Sequence, residues 1–215
     1  MILQKVLKGI VGVTRSDAKT MLAGHGIICN WWRRVNPLPD GQVPGRLTQD
    51  NLLRHLSAYD QPDPITGTAK FGEMTPFIST TAGAVERDAA SANNWVHSAF
   101  LTALAFATDN FRTDGVVFYG YVNVLGKKSV VMQEFAEETR ELHTWTEFQP
   151  YHPEGEIVAK IKIPSPHLQR AEGYNGPSAR ARLNAHEMPT PTWVERNTYH
   201  YIPPDELSNV RDVLF

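Results

Sequence analysis

The sequence predicts an α+β domain, because stretches with the period of a strand occur between stretches with the spacing of a helix. From Ile157 to Ile163 apolar residues recur at every second position, the pattern of a strand with one face packed on a core. The run from Gly115 to Val124 is nearly apolar throughout, as in a strand at the centre of a sheet. The segment Thr48 to Ser57 carries leucines at helical spacing behind a capping threonine.

The length and composition favour one domain spanning residues 1–215. A chain of 215 residues with 41% hydrophobic residues can bury one sizeable core. The formal net charge of −2 gives no global basic field, which disfavours tight non-specific binding to nucleic acid. Cys29 is the only cysteine, so there is no internal disulfide and no thiolate zinc cluster. The N-terminal apolar run is too interrupted for a signal peptide, and no stretch is long enough to span a membrane.

The N-terminal half contains two helix patterns and two strand patterns. Ser16 is expected to cap a short helix over SDAKTMLA. The segment Ile27 to Val35 is rich in β-prone residues and is expected to form a strand that ends in arginines. The helix of Thr48 to Ser57 follows, and Phe77 to Thr81 is expected to form a short strand studded with hydroxyl groups.

The C-terminal half begins with the alanine-rich run Asp88 to Phe111, whose length and residue types are typical of a largely buried helix. The apolar strand that opens at Gly115 comes next, and a polar, mixed segment extends from Lys127 to Tyr151. The alternating strand follows directly. A further strand pattern, TWVERNTYHYI, lies in the tail.

Two carboxylates share one face at the beginning of the alternating strand. Glu154 and Glu156 have the phase opposite to Ile157, so both side chains are expected to project where a loop becomes a strand. Two interpretations remain open at this point. Most such pairs form a solvated edge, whereas two carboxylates at the mouth of a sheet can also perform chemistry.

Missing motifs disfavour several chemistries. The sequence contains no G-x-S-x-G and no H-E-x-x-H, and its eight histidines do not cluster at the spacing of metal ligands. The run GKKS at residues 126–129 lacks the spacing of a phosphate-binding loop. A serine hydrolase, a zinc enzyme and a P-loop protein are therefore not expected.

Three separated pieces together resemble a known series of motifs. WWRRVNPLPD, PFISTTAG and HPEGEIVAKI occur in the order of the arginine, serine–threonine–serine and glutamate-x-glutamate motifs of mono-ADP-ribosyltransferases of the cholera and heat-labile enterotoxin class. The agreement in order, spacing and expected strand context covers roughly residues 27 to 163. The resemblance implies an ADP-ribosyltransferase-like fold, with two packed, mainly antiparallel sheets around an NAD cleft and flanking helices.

The resemblance also implies roles for five residues. Glu154 and Glu156 fall on the two family glutamates and are expected to be catalytic, together with Ser79 on the first serine. Arg33 falls on the family arginine and, with Ser79 and Thr80, is expected to bind NAD. NAD is then the substrate, and no metal is expected to take part.

The chemistry of the reaction suits these residue types. Cleavage of the bond between nicotinamide and ribose leaves positive charge on the sugar, which a fixed carboxylate stabilises most in the transition state. Glu156 suits that role, and a hydrogen bond from Ser79 would hold the carboxylate in place. Glu154 would lie nearer to an attacking arginine, whose guanidinium it can dock and help to deprotonate.

The resemblance implies a toxin or effector that modifies an arginine of a target-cell protein. Such a protein is expected to be secreted or translocated without an evident signal peptide, or otherwise cytoplasmic, and to have an immunity protein as a partner. Thr81 stands where the family has serine, and the segment Lys127 to Tyr151 differs from that of the enterotoxins, which leaves the acceptor open. ADP-ribosylation of nucleic acid and a non-enzymatic NAD-binding or interaction module remain the alternatives.

Overall fold

The computed structural model describes residues 1–35, 43–87, 94–125, 127–139, 155–200 and 210–215. Within these ranges the chain is an α+β protein, in which a large, mainly antiparallel sheet is accompanied by two sheets of two strands each and by several helices. No helix in the same ranges is long and apolar enough to cross a membrane.

The strands in the described ranges are β1 (Ile2–Val11), β2 (Ile27–Ile28), β3 (Phe77–Thr81), β4 (Ala84–Arg87), β5 (Asn94–His97), β6 (Asp114–Val124), β7 (Glu137–Glu138), β8 (Glu156–Lys160), β9 (Lys162–Ile163), β10 (Leu168–Asn175), β11 (Trp193–Arg196) and β12 (Val210–Arg211). The α-helices there are α1 (Arg15–Thr20), α2 (Asn30–Val35), α3 (Val43–Arg46), α4 (Gln49–Ser57), α5 (Phe71–Met74), α6 (Ala99–Ala107) and α7 (Gly176–Asn184). A π-helical turn covers Met21–His25, and a 3-10 turn covers Ser165–His167.

β1 and β6 form the centre of the large sheet, whose order is β11–β10–β6–β1–β3–β8–β7. They pair antiparallel along their length, from Ile2 opposite Val124 to Val11 opposite Gly115. β12 adds to β1 in parallel. Because β6 is buried along almost its whole length, the prediction of a central strand that opens near Gly115 is confirmed.

The junction between β1 and β3 positions the candidate site. β3 meets β1 at one pair of residues, Leu7 opposite Thr81, and pairs with β8 along its whole length. In the second pairing Thr81 lies opposite Glu156. The short strand of hydroxyl-bearing residues is thus confirmed, and it lies beside the strand that begins with Glu156.

Hydrophobic clusters cover both faces of this sheet. The larger cluster packs β6 and β8 against α4, through residues such as Phe118, Ile157 and Leu52. The smaller cluster packs α6 against β1 and includes Leu7 and Leu104. The helix predicted after Thr48 is confirmed as α4, with the Thr48 hydroxyl accepting a hydrogen bond from the backbone N–H of Asn51.

α6 lies unusually close to the central strands. A Cβ added at Gly115 in β6 would lie 1.6 Å from the carbonyl oxygen of Ala107, and one added at Gly9 in β1 would lie 2.0 Å from that of Ala103. These two glycines therefore allow the helix backbone to contact the sheet, since any side chain would push it away.

The segment Ile27–Val35 is a strand over its first two residues alone, as β2, and then becomes the helix α2. Trp31 is buried in the larger cluster, and the Asn30 side chain donates a hydrogen bond of 2.7 Å to the carbonyl oxygen of Gly72 next to it. The prediction of a strand ending in arginines is wrong, because these tertiary contacts override the β-prone composition.

α6 is shorter than the helix predicted from Asp88 to Phe111. Residues 94–97 form β5, which pairs with β4, and Ser98 caps α6 by accepting a hydrogen bond from the N–H of Leu101. The helix ends at Ala107, and positive φ angles at Asp109, Asn110 and Phe111 turn the chain towards β6. Residues 88–93 lie outside the described ranges.

The mixed apolar spacing at the N-terminus does not reveal β1. Neighbouring residues of this strand, such as Val6 and Leu7, are both buried, because the sheet is covered on both faces and simple alternation is lost. The helix that follows is capped by Thr14 rather than by Ser16. The Thr14 hydroxyl accepts a hydrogen bond from the N–H of Asp17, whose carboxylate in turn accepts one from the Thr14 N–H.

The alternating strand is confirmed but differs in two respects from its prediction. β8 ends at Lys160, because Ile161 adopts a φ of 61°, and β9 continues from Lys162 to Ile163. All five residues of β8 are buried, so the expectation that one face alone packs on the core is wrong.

Candidate active site

A cavity of about 380 Å³ lies where β1, β3 and β8 meet, next to α4 and α6. Its polar lining includes the side chains of Lys8, His55, Ser79, Thr80, Thr81, Thr102 and Glu156. Tyr59 and Phe106 also line it and are 45% and 63% exposed, which places both rings towards the cavity mouth. The structure therefore brings Ser79, Thr80 and Glu156, three of the predicted site residues, together in one cavity.

The backbone around Glu156 is held on both sides. Thr139 Oγ1 donates to the Glu156 carbonyl oxygen at 2.8 Å, and the N–H of Ala82 donates to the carbonyl oxygen of Gly155 at 3.0 Å. Gly155 has a φ of 61°, and a Cβ there would lie 2.3 Å from the carbonyl carbon of Gly83. Because the Glu156 side chain is 10% exposed, the solvated-edge interpretation is wrong for this carboxylate.

His55 links the hydroxyl group of Ser79 in the cavity to that of Thr75 behind it. Its Nε2 lies 2.8 Å from Ser79 Oγ and its Nδ1 lies 2.9 Å from Thr75 Oγ1, while Nε2 is 4.0 Å from Glu156 Oε1. Burial, together with the positive charge of Lys8, lowers the pKa of His55 to about 3. The imidazole is therefore neutral, with one nitrogen that donates and one that accepts.

The hydrogen bonds favour one tautomer of this imidazole. Thr75 Oγ1 already accepts a hydrogen bond from the N–H of Phe77, so its own hydrogen is suited to donate to His55 Nδ1. The imidazole proton then lies on Nε2 and is donated to Ser79 Oγ. This arrangement leaves the Ser79 hydroxyl hydrogen available for a carboxylate or a ligand in the cavity.

Lys8 brings a cation to the same cavity. The side chain projects from the middle of β1 and is half-buried. Burial, partly offset by the negative charge of Glu156, lowers the pKa of Lys8 to about 8. A carboxylate, an ammonium group and a neutral histidine thus surround one space, the kind of cluster that is common at functional sites.

Thr80 lines the cavity, but its hydroxyl is engaged elsewhere. Thr80 Oγ1 donates a hydrogen bond of 2.5 Å to the carbonyl oxygen of Ile157 on the neighbouring strand. Thr80 is 4% exposed. The hydroxyl therefore fastens β3 to β8, and it is Ser79 that presents its hydroxyl at the site.

The structure does not bring Arg33 to this cavity. Arg33 is exposed on α2, where its N–H donates to the carbonyl oxygen of Cys29. Its predicted place at the end of a strand is wrong, because that segment is helical. Glu154 lies outside the described ranges, and so does most of the polar segment that precedes it.

Sequence reasoning missed Lys8 and His55. Lys8 interrupts the apolar N-terminal run, and His55 follows Leu52 on the buried face of α4. The signal at Lys8 is a charged residue within a strand, and the signal at His55 is a histidine on an apolar helix face. Neither signal is specific, since the pairing of β1 with β3 brings Lys8 to the site and the packing of α4 brings His55 there.

A second cavity, of about 420 Å³, lies between the end of β6, β8 and β9. It contains none of the predicted site residues. The ammonium of its Lys160 is fully engaged, with hydrogen bonds of 2.6 Å to Glu137 Oε1 and of 2.6 Å to the carbonyl oxygen of Ser129. In the described residues no group of three or more His, Cys, Asp and Glu side chains is placed to hold a metal ion.

Comparisons with known proteins match this chain to solved structures alone. No protein-family model matches it, and no curated protein matches it either. Among solved structures, the chain is similar to one titled "EcPltA", with a TM-score of 0.46 and 12% sequence identity over 98% of this chain and 93% of that one. At this score the similarity carries no argument about activity.

Proposed function

We propose that the protein cleaves the bond between nicotinamide and ribose in NAD and transfers ADP-ribose to an acceptor, a protein arginine. The observation that carries this proposal is the position of Glu156. Its carboxylate is nearly buried, lines a cavity large enough for a nucleotide, and lies on the strand next to Ser79. This is the environment in which a fixed negative charge stabilises a cation best.

On the sugar side, Glu156 faces the positive charge that develops on the ribose as nicotinamide leaves. A buried carboxylate interacts with that charge more strongly than water does, and more in the transition state than in the ground state. Ser79, oriented by His55, donates its hydroxyl hydrogen to the carboxylate or to a ribose oxygen. The site thereby stabilises the transition state without a metal ion.

On the acceptor side, the proposal assigns the second carboxylate to Glu154. It precedes Glu156 by two residues and thus shares its phase on a strand. An arginine acceptor is cationic and hard to deprotonate, so a carboxylate is needed to dock it and take up its proton. The arginine specificity rests on this glutamate and on the resemblance of HPEGEIVAKI to the family motif.

The proposal extends to the fold family and to the biological setting. The contact between β1 and β3 is one residue pair wide, and this is where the large sheet would divide into the two packed sheets of an ADP-ribosyltransferase-like fold. A protein with this activity acts as a toxin or effector on a target cell after secretion or translocation. An immunity protein then protects the cell that makes it.

The test is a transfer assay with the purified chain, a cell lysate and NAD labelled in its adenylate phosphate. The proposal predicts label in protein, lost with Glu156→Gln and retained with Glu187→Gln, an exposed glutamate distant in sequence from the cavity residues. Label in nucleic acid would show the alternative acceptor. Label as free ADP-ribose alone would show hydrolysis without transfer, and no turnover at all would indicate a non-enzymatic module.

The variant Glu154→Gln separates the two halves of the reaction. Loss of protein labelling with continued release of nicotinamide would support the acceptor-side role. Transfer equal to that of the wild-type protein would contradict an arginine acceptor, because the neutral amide cannot remove a proton from the guanidinium.

A further inference from the structure

The ammonium group of Lys8 has no hydrogen-bond partner in the described part of the chain, although the negative charge of Glu156 acts on it. It lines the cavity, yet it makes no hydrogen bond and no salt bridge there. Two other lysines show the contrast: Lys5 on the same strand lies 2.7 Å from Asp212 Oδ2, and the buried Lys160 lies 2.6 Å from Glu137 Oε1. Lys8 has therefore lost part of its hydration without gaining hydrogen bonds in return.

The surroundings of Lys8 show what would satisfy it. The charged groups among the described lining residues are Lys8 itself and Glu156, and the nearby His55 is neutral. β3 contributes hydroxyl groups to the lining, and α6 contributes uncharged residues. Partial burial of the ammonium without a hydrogen-bonded anion is costly, and an anion that enters the cavity would lower that cost.

We propose that the Lys8 ammonium is the anion-binding group of this cavity and that it takes a phosphate oxygen of the substrate. The identity of that substrate as a dinucleotide, and of the anion as its phosphate, rests on the function proposed above, whereas the preference for an anionic group follows from the cation without a hydrogen-bond partner. A cavity of about 380 Å³ is near the lower limit for small-molecule sites and holds one nucleotide half. Lys8 then binds the phosphate attached to the ribose that Glu156 faces.

This assignment replaces Arg33 with a residue of different chemistry. The guanidinium of arginine keeps its charge at every accessible pH, whereas the amine of lysine can lose its proton when it is buried. Because the pKa of Lys8 is about 8 in the absence of a ligand, the cation disappears above that pH. A bound phosphate favours the charged form and raises the pKa again, so binding at alkaline pH takes up a proton.

Isothermal titration calorimetry of the full chain with ADP-ribose, and with inorganic pyrophosphate as a simpler anion, tests the proposal. Lys8→Met should weaken the binding of both ligands at pH 7 by at least tenfold. Above about pH 8 the affinity of the wild-type protein for both ligands should fall with rising pH, approaching a tenfold loss per pH unit. Lys8→Arg should show no such loss, because its guanidinium stays charged. Lys5→Met, on the same strand, is the matched control and should bind like the wild-type protein.

Two further measurements keep the test decisive. Thermal unfolding followed by circular dichroism should show Lys8→Met folded and more stable than the wild-type protein, because a poorly hydrated charge has been removed. Arg33→Met tests whether Arg33 rather than Lys8 binds the anion, and our proposal predicts that this variant binds ADP-ribose with wild-type affinity. Wild-type affinity in Lys8→Met, or an unaltered pH dependence in Lys8→Arg, would overturn the proposal.

The outcomes also separate this proposal from the proposed activity. If the protein releases nicotinamide from NAD but Lys8→Met binds ADP-ribose normally, the anion-binding role is wrong and the activity stands. If pyrophosphate binding depends on Lys8 but NAD is not cleaved, the anion site stands and the activity is wrong. A wild-type protein that binds neither ligand would overturn the anion site.

Discussion

The neutral, buried state of His55 predicts a specific loss of stability in acid. The pKa of His55 is about 3 in the folded protein, against 6.5 when the side chain is exposed to water. Below pH 6.5 the unfolded chain therefore binds a proton that the folded chain does not, and stability falls as the pH falls towards 3. Each pH unit in this window costs about 1.4 kcal/mol.

The perturbation that isolates this effect is His55→Gln. The amide offers a donor and an acceptor to Thr75 and Ser79 but does not titrate. Between pH 7 and pH 4.5 the free energy of unfolding of the wild-type protein should fall by ~2.7 kcal/mol more than that of the variant. This figure corresponds to the two pH units between 6.5 and 4.5, in which His55 is protonated in the unfolded chain and neutral in the folded one. Other titrating groups contribute equally to both proteins and cancel in the difference.

Urea denaturation followed by tryptophan fluorescence at both pH values measures this difference. His25→Gln, at an exposed histidine, is the control and should show the wild-type pH dependence. If the wild-type protein and His55→Gln lost the same stability in acid, His55 would titrate as an exposed residue does. The neutral hydrogen-bonded link between Thr75 and Ser79 would then be wrong.

Two further predictions concern the framework of the site. Gly115→Ala should lower the free energy of unfolding, measured by urea denaturation, by about 3 kcal/mol, because the new Cβ would lie 1.6 Å from the Ala107 carbonyl oxygen. Gly24→Ala is the control, since a Cβ there meets nothing within 4 Å. Equal effects of the two substitutions would contradict the close packing of α6. Ser79→Ala should cost about 1–3 kcal/mol by leaving His55 Nε2 without its partner, and should also slow nicotinamide release. The exposed Ser57→Ala is its control, and equal stability of the two variants would count against the bond to His55.

Strands and helices with a clear apolar pattern in the sequence could be predicted. The apolar run from Gly115 forms a central strand because it is buried on both faces, and the leucines after Thr48 form a helix because one face packs on the core. The segment Ile27–Val35 could not be predicted in this way. Its tryptophans and β-branched residues favour a strand, but the burial of Trp31 and the hydrogen bond from Asn30 select a helix.

The residues of the candidate site also differ in whether a local motif indicates them. Ser79 and Glu156 could be predicted, because each lies in a short motif and the two motifs occur in a characteristic order. Lys8 and His55 join them through the pairing of β1 with β3 and the packing of α4, which are contacts between residues far apart in the chain. Arg33 shows the reverse case, since its motif predicts a strand where the chain forms the helix α2.

The central claim is that the buried carboxylate of Glu156 drives cleavage of NAD. The most direct measurement is the rate of nicotinamide release from NAD by the purified chain, compared between the wild-type protein, Glu156→Gln and the control Glu187→Gln. Our account predicts a loss of roughly 10²–10³-fold in Glu156→Gln, typical of removing one preorganised electrostatic group, and no loss in the control. Equal rates of nicotinamide release in Glu156→Gln and the wild-type protein would contradict it.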